Sequence, residues 1–249
     1  MVRSIFHKAL KEPGWFKVLW SDGARAFSWT LLDGGGRVHI GIGREAVIAC
    51  VRGSCRVESD LGHTDLGPRD ILYTSGPFEL RLEGRESLLV AAEAPSGLKE
   101  LLLVKRASDA QPTLVGGEGY RRFVYALLGV NDPGTSLLAG FTEGFPGEWT
   151  SFPPHKHDDK VEVYVYYGLG DGFGVQIVED EGGADSYIVR DGDAVVILSG
   201  YHPNVASPGS RICYVWVLCQ TLGEKNMRVE VKPGFERFQV GGHLQVKRP

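Results

Sequence analysis

The feature that most constrains this chain is its punctuation: apolar or alternating runs of strand length, separated by glycine. Residues 27–32, 44–51, 70–73, 78–82, 87–92 and 101–104 form one series. Residues 123–128, 136–141, 161–167, 174–179, 185–189, 194–198 and 212–218 form a second. Runs this short with turn residues between them read as antiparallel β-structure. The 34 glycines and 13 prolines supply the tight turns that many short strands require. The only stretch with any helical character lies near the N-terminus.

The two series are separated at residues 107–122, where Gln111-Pro112 and Gly116-Gly117-Glu118-Gly119 interrupt the pattern. We therefore expect two domains, 1–115 and 116–249. A length of 249 residues accommodates two cores, since single domains often run to ~100–150 residues. The halves also echo one another. Gly67-Pro68-Arg69-Asp70 leads a strand ending in Ser75-Gly76, and Arg190-Asp191-Gly192-Asp193 leads one ending in Ser199-Gly200. Tyr201-His202 follows the second exit but Pro77-Phe78 follows the first, so the N-terminal copy is expected to be metal-free.

A formal net charge of -4 gives no general positive field for nucleic acid or an anionic membrane, and neither is expected as a partner. No segment approaches the ~20 apolar residues of a membrane span, and the N-terminus lacks a signal-peptide apolar core. The expected location is cytoplasmic. Cys50, Cys55, Cys213 and Cys219 form no CxxC pair, and Cys213 reads as a small buried thiol.

The strongest local signal is His155-Lys156-His157 followed by Glu162. Side chains alternate across a strand, so His155 and His157 point one way and Lys156 the other. Glu162 begins a run whose even-numbered members, Tyr164 and Tyr166 among them, share its face. His202 arrives after the Gly200 turn from a strand distant in sequence. Three imidazoles and a carboxylate suit one divalent transition ion, with Zn, Mn and Fe the leading candidates, and can leave a position for water or substrate. His39, His63 and His243 have no such partners and read as solvent-facing or locally bonded.

Jointly these residues resemble the cupin superfamily. Its first motif, a glycine, His-x-His, Glu and a glycine, corresponds to Trp149 in the place of the first glycine, then His155, His157, Glu162 and Gly168. Its second corresponds to Gly192, Gly200 and His202, while Gly144 and Gly147 remain to supply the turn before the first motif. Residues 149–158 and 200–209 are similar to segments of the family that joins 5-deoxy-glucuronate isomerase with 4-deoxy-L-threo-5-hexosulose-uronate ketol-isomerase. Gly14-Trp15, Gly53 and residues 117–124 extend the resemblance over nearly the whole chain. One departure is the direct passage from Asp158-Asp159 to Val161-Glu162-Val163, which lacks the longer acidic insertion usual in the deoxy-glucuronate enzyme and is closer to the pectin-pathway relative.

The resemblance implies a bicupin, two antiparallel jelly-roll-like barrels with His155, His157, Glu162 and His202 as metal ligands in the C-terminal one. It also implies aldose–ketose isomerisation of 5-deoxy-D-glucuronate to 2-deoxy-5-keto-D-gluconate in inositol catabolism. The alternatives are the ketol-isomerase of pectin breakdown, a cupin dioxygenase or a sugar-acid-binding cupin without turnover. Such an isomerase needs a proton carrier, an oxyanion stabiliser and a cation for the substrate carboxylate. Tyr164, Gln176 and Tyr214 are the expected catalytic or orienting groups, and Arg122, Arg211 and Tyr166 the expected substrate contacts. The sequence does not single out the general base. A barrel sheet left exposed is open to pairing with a second copy of the chain.

Overall fold

The computed structural model describes residues 2–241 and 244–246, so His243 lies outside the described residues. The fold is all-β, as the punctuated pattern requires. Among the described residues the only helical element is the three-residue 3-10 turn Ala107–Asp109, and no helix is long and apolar enough to cross a membrane. The N-terminal stretch with helical character is instead a strand, Ser4–His7.

The main sheet of the C-terminal half runs in the order Ser4–His7, Ala194–Ile197, Lys160–Tyr167, Cys213–Gln220, Leu137–Gly144, Arg122–Leu128, Thr113–Val115. A second sheet of four strands is built from Trp149–Thr150, Asn204–Ala206, Gly174–Asp180 and Gly183–Val189. The N-terminal half has three long strands, Ala26–Ile40, Arg44–Ser59 and Phe78–Pro95, flanked by Lys17–Ser21, Ile71–Ser75 and Leu101–Lys105. None of these sheets closes on itself through hydrogen bonds among the described residues. Ser4–His7 pairs with Ala194–Ile197, and Thr113–Val115 pairs with Arg122–Leu128, so two segments from residues 1–115 hydrogen-bond into the C-terminal sheet.

The echo between the halves is structural. Asp70 accepts a hydrogen bond from the Gly67 amide at 3.0 Å, and Asp193 accepts one from the Arg190 amide at 2.9 Å, closing the same acidic turn. Each following strand then pairs with the corresponding neighbour, Ile71–Ser75 with Arg44–Ser59 and Ala194–Ile197 with Lys160–Tyr167. Both exits use a glycine at φ +92°, Gly76 and Gly200.

Strand alternation sorts residues into three cores. On Lys160–Tyr167 and Cys213–Gln220, the odd-numbered Val161, Val163, Val165, Val215 and Val217 join Val47, Ala49, Leu88 and Val90 in one cluster shared by the two halves. The even-numbered Tyr164, Tyr166, Tyr214, Trp216 and Leu218 face the interior of the C-terminal half. A third cluster around Ile48, Leu72, Leu80 and Leu89 fills the N-terminal half. Burying a Val or Leu contributes about 1.5–3 kcal/mol, so the shared cluster ties the halves together firmly. A polar latch reinforces it. The buried Glu45 carboxylate accepts hydrogen bonds from the backbone amides of Thr135, Ser136 and Leu137, at 2.7, 2.6 and 3.1 Å, and from the Tyr73 hydroxyl at 2.9 Å. All four cysteines are buried free thiols, and burial pushes Cys213 up to about 11.

Candidate functional site

His155, His157 and His202 are gathered in the interior of the C-terminal half, each with a ligating atom within 4.8 Å of the others and all three buried. His155 sits on the two-residue strand His155–Lys156, which pairs with Arg228–Val231. Lys156 points outward between Asp158 and Glu230, so the alternation expected of His-x-His holds. His202 follows the Gly200 turn, where a Cβ would lie 2.7 Å from the Glu179 carbonyl oxygen, and its own amide donates to the His155 carbonyl at 3.2 Å.

The imidazoles are pre-oriented by the backbone. His155 Nδ1 lies 2.9 Å from the Pro153 oxygen, His157 Nδ1 lies 3.0 Å from that of Arg228, and His202 Nδ1 lies 2.9 Å from that of Gly200. A carbonyl oxygen only accepts, so each Nδ1 carries a proton, and in a neutral ring Nε2 then presents a lone pair. Burial pushes His155 well below its ordinary value and His157 down to about 4, which keeps both neutral near pH 7. Glu162 Oε2 lies 3.3 Å from His202 Nε2 and 3.7 Å from His157 Nε2. Glu162 Oε2 and His202 Nε2 are buried with no hydrogen-bond partner among the described residues. Converging Nε2 atoms facing an unsatisfied carboxylate oxygen fit a divalent cation bound between them, and the carbonyl behind each ring is the support that ligating histidines ordinarily have.

The pocket containing His155, His157 and Glu162 is also lined by Arg122, Ser151, Tyr164 and Tyr214. Arg122 is 3% exposed, and its Nη1 donates to the Tyr120 carbonyl at 3.2 Å. Among the described residues it makes no ion pair with a carboxylate, although burial acts against its charge. Tyr164 and Tyr214 stack with ring centroids 4.1 Å apart, and the Tyr164 hydroxyl lies 3.3 Å from Ser151 Oγ.

The other expected site residues are placed differently. Arg211 is exposed, donates to the Gly144 carbonyl at 2.9 Å and does not line this pocket. Gln176 is fully buried, and its amide donates to the carbonyls of Ile177, His202 and Pro203. Its oxygen accepts from the Tyr166 hydroxyl at 2.7 Å and from Asn204 at 3.0 Å. Gln176 and Tyr166 therefore hold the segment that carries His202 and are not among the pocket's lining residues. Thr142, Trp216, Leu218, Met227 and Leu244 line the pocket without having been expected there. Alternation from Tyr214 offered a signal for Trp216 and Leu218; Met227 and Leu244 reach the pocket only because the C-terminal segment folds back along His155–Lys156.

The profile of the KduI/IolB family matches residues 22–237. The chain belongs to this family. A 5-deoxy-glucuronate isomerase of Geobacillus kaustophilus is 34% identical over 122 residues, covering 45% of this chain and 44% of that protein. A 4-deoxy-L-threo-5-hexosulose-uronate ketol-isomerase of Opitutus terrae is 29% identical over 116 residues, covering 45% of this chain and 42% of that protein. The matched stretch thus spans less than half the length of these curated relatives. Among solved structures, an IolB-like protein from Salmonella typhimurium superposes with a TM-score of 0.81 at 18% identity, covering 93% of this chain and 98% of that one. A cupin 2 conserved barrel domain protein from Leptotrichia buccalis superposes with a TM-score of 0.55 at 16% identity, covering 86% of this chain and 92% of that one. For this KduI/IolB member the similarity to both structures establishes a cupin-like fold.

Proposed function

We propose that this KduI/IolB protein is a metal-dependent aldose–ketose isomerase that converts 5-deoxy-D-glucuronate to 2-deoxy-5-keto-D-gluconate in inositol catabolism. The observation that carries the reading is that one pocket joins His155, His157 and Glu162, which converge with the adjacent His202, to a buried guanidinium with no carboxylate partner among the described residues. A sugar acid has the complementary halves: an α-hydroxy-carbonyl group to react and a carboxylate to hold.

In this reading His155, His157, Glu162 and His202 hold one divalent ion, with Zn, Mn and Fe the candidates. When bound, it supplies Lewis-acid stabilisation of negative charge growing on the substrate oxygen. Arg122 pairs with the substrate carboxylate, for which a guanidinium is geometrically suited. Tyr164 and Tyr214 present hydroxyls to the sugar, and burial raises the pKa of both, so they serve as donors. Apolar Leu218, Met227 and Leu244 exclude water from the remaining wall. The division into two barrels at 1–115 and 116–249 belongs to the same proposal and is supported by the repeated acidic turn and strand pairing.

The alternative substrate is the 4-deoxy-5-keto-uronate of pectin breakdown, favoured by the short connection from His157 to Glu162. Proton NMR of the metal-analysed protein with each sugar acid, and with chelated protein as control, separates the two. Metal-dependent conversion of 5-deoxy-glucuronate supports the first reading, and preferential conversion of the keto-uronate replaces it. Conversion of neither leaves a sugar-acid-binding cupin.

A further inference from the structure

A fully buried lysine stands beside the site. Lys160 occupies the first position of Lys160–Tyr167, on the same strand face as Glu162, and its side chain is 0% exposed. Burying an ammonium costs several kcal/mol unless each proton finds an acceptor. Here Nζ donates to Asp159 Oδ1 at 2.5 Å, to Asn226 Oδ1 at 2.8 Å and to the Arg228 carbonyl at 3.4 Å. That same Arg228 oxygen is the acceptor for His157 Nδ1 at 3.0 Å, and the Arg228 amide donates to Asn226 Oδ1 at 2.8 Å. Both sides of residue 228 are therefore tied to the Lys160–Asn226 pair, and residue 228 in turn sets the orientation of the His157 ring.

We propose that Lys160 is a positioning residue for His157, acting through Asn226 and the Arg228 backbone to keep the proton on Nδ1 and to aim Nε2 into the pocket. The consequence for cation binding rests on the metal reading above; the consequence for the ring does not.

The test uses the full-length protein with uniformly 15N-labelled histidine, together with Zn2+ titration against a chromophoric chelator. In the metal-free wild type, His157 is expected in the Nδ1-protonated form. Lys160→Met is expected to convert it to a mixture of tautomers, with His155 and His202 unchanged, and to weaken Zn2+ binding by ~10–100-fold, the range for loss of such outer support. Asn226→Ala provides the same comparison with the lysine retained and is expected to act in the same direction. A folded variant with an unaltered His157 tautomer and Zn2+ affinity within about twofold of wild type overturns the proposal, even if its melting temperature falls. Should the wild type bind no Zn2+, the metal reading fails and the tautomer alone decides the role of Lys160. Should neither variant fold, the wild type remains informative: a slowly exchanging His157 Nδ1 proton close to the Lys160 ammonium is expected, and rapid exchange of both is the contrary result.

Discussion

His202 Nε2 lies 3.3 Å from Glu162 Oε2, and neither atom has a hydrogen-bond partner among the described residues. The Gly200 carbonyl places a proton on His202 Nδ1, so in the neutral ring Nε2 and the carboxylate oxygen are two acceptors facing one another inside the protein. That arrangement is unfavourable until a cation or a proton enters. Glu162→Gln replaces one acceptor by an amide that can donate to His202. The metal-free variant is expected to be more stable than wild type by about 1–3 kcal/mol, while its Zn2+ affinity and metal-dependent turnover collapse. Urea denaturation and chelator competition on the same preparation check both halves; a less stable metal-free variant counts against the acceptor–acceptor contact.

Arg122 is expected to act on binding. Arg122→Met keeps the bulk of the side chain but removes the charge. A charged hydrogen bond contributes about 1.5–3 kcal/mol, so KM for the uronate should rise by roughly 10–100-fold with a smaller change in kcat. Steady-state kinetics decide it, and an unchanged KM removes Arg122 from the substrate site.

Glu45 should matter for cohesion of the halves. Glu45→Ala leaves the amides of Thr135, Ser136 and Leu137 without their side-chain acceptor and the Tyr73 hydroxyl without its partner. We expect a loss of about 3–5 kcal/mol, the scale for breaking a buried charged network, measured by urea unfolding. A change below 1 kcal/mol contradicts the latch.

Acid should unfold the metal-free protein well before its surface carboxylates titrate. His157 is pushed down to about 4 by burial in the folded state, whereas an unfolded histidine titrates near ~6.5. Between these values the unfolded chain binds the extra proton, so stability is fully present above pH ~6.5 and is lost as pH falls toward 4. His157 alone contributes roughly 3 kcal/mol to that loss, and His155, also depressed by burial, adds to it. Denaturation at pH 7.5 and pH 5 measures the slope; equal stability at the two values contradicts neutral buried imidazoles.

Much of the site was legible because strand periodicity is local. His155, His157 and the even-numbered face from Glu162 to Tyr166 follow from a period of two, and the structure places all of them inside. Gln176 shows the limit of that rule. Alternation gives the direction of a side chain but not what it meets, and Gln176 meets three backbone carbonyls and two side chains within the C-terminal half. Arg211, one residue before an inward-facing run, turns to the Gly144 carbonyl at the surface.

The sequence by itself determined the all-β class, the repeat of the acidic turn and the histidines that can converge, since each depends on residue type and near-neighbour spacing. Only the tertiary structure decided that Ser4–His7 pairs into the C-terminal sheet, that Met227 and Leu244 wall the pocket and that Arg122 lacks an acidic partner among the described residues. These are relations between segments far apart in the chain, fixed by how the sheets bury their apolar faces, and no local pattern carries them.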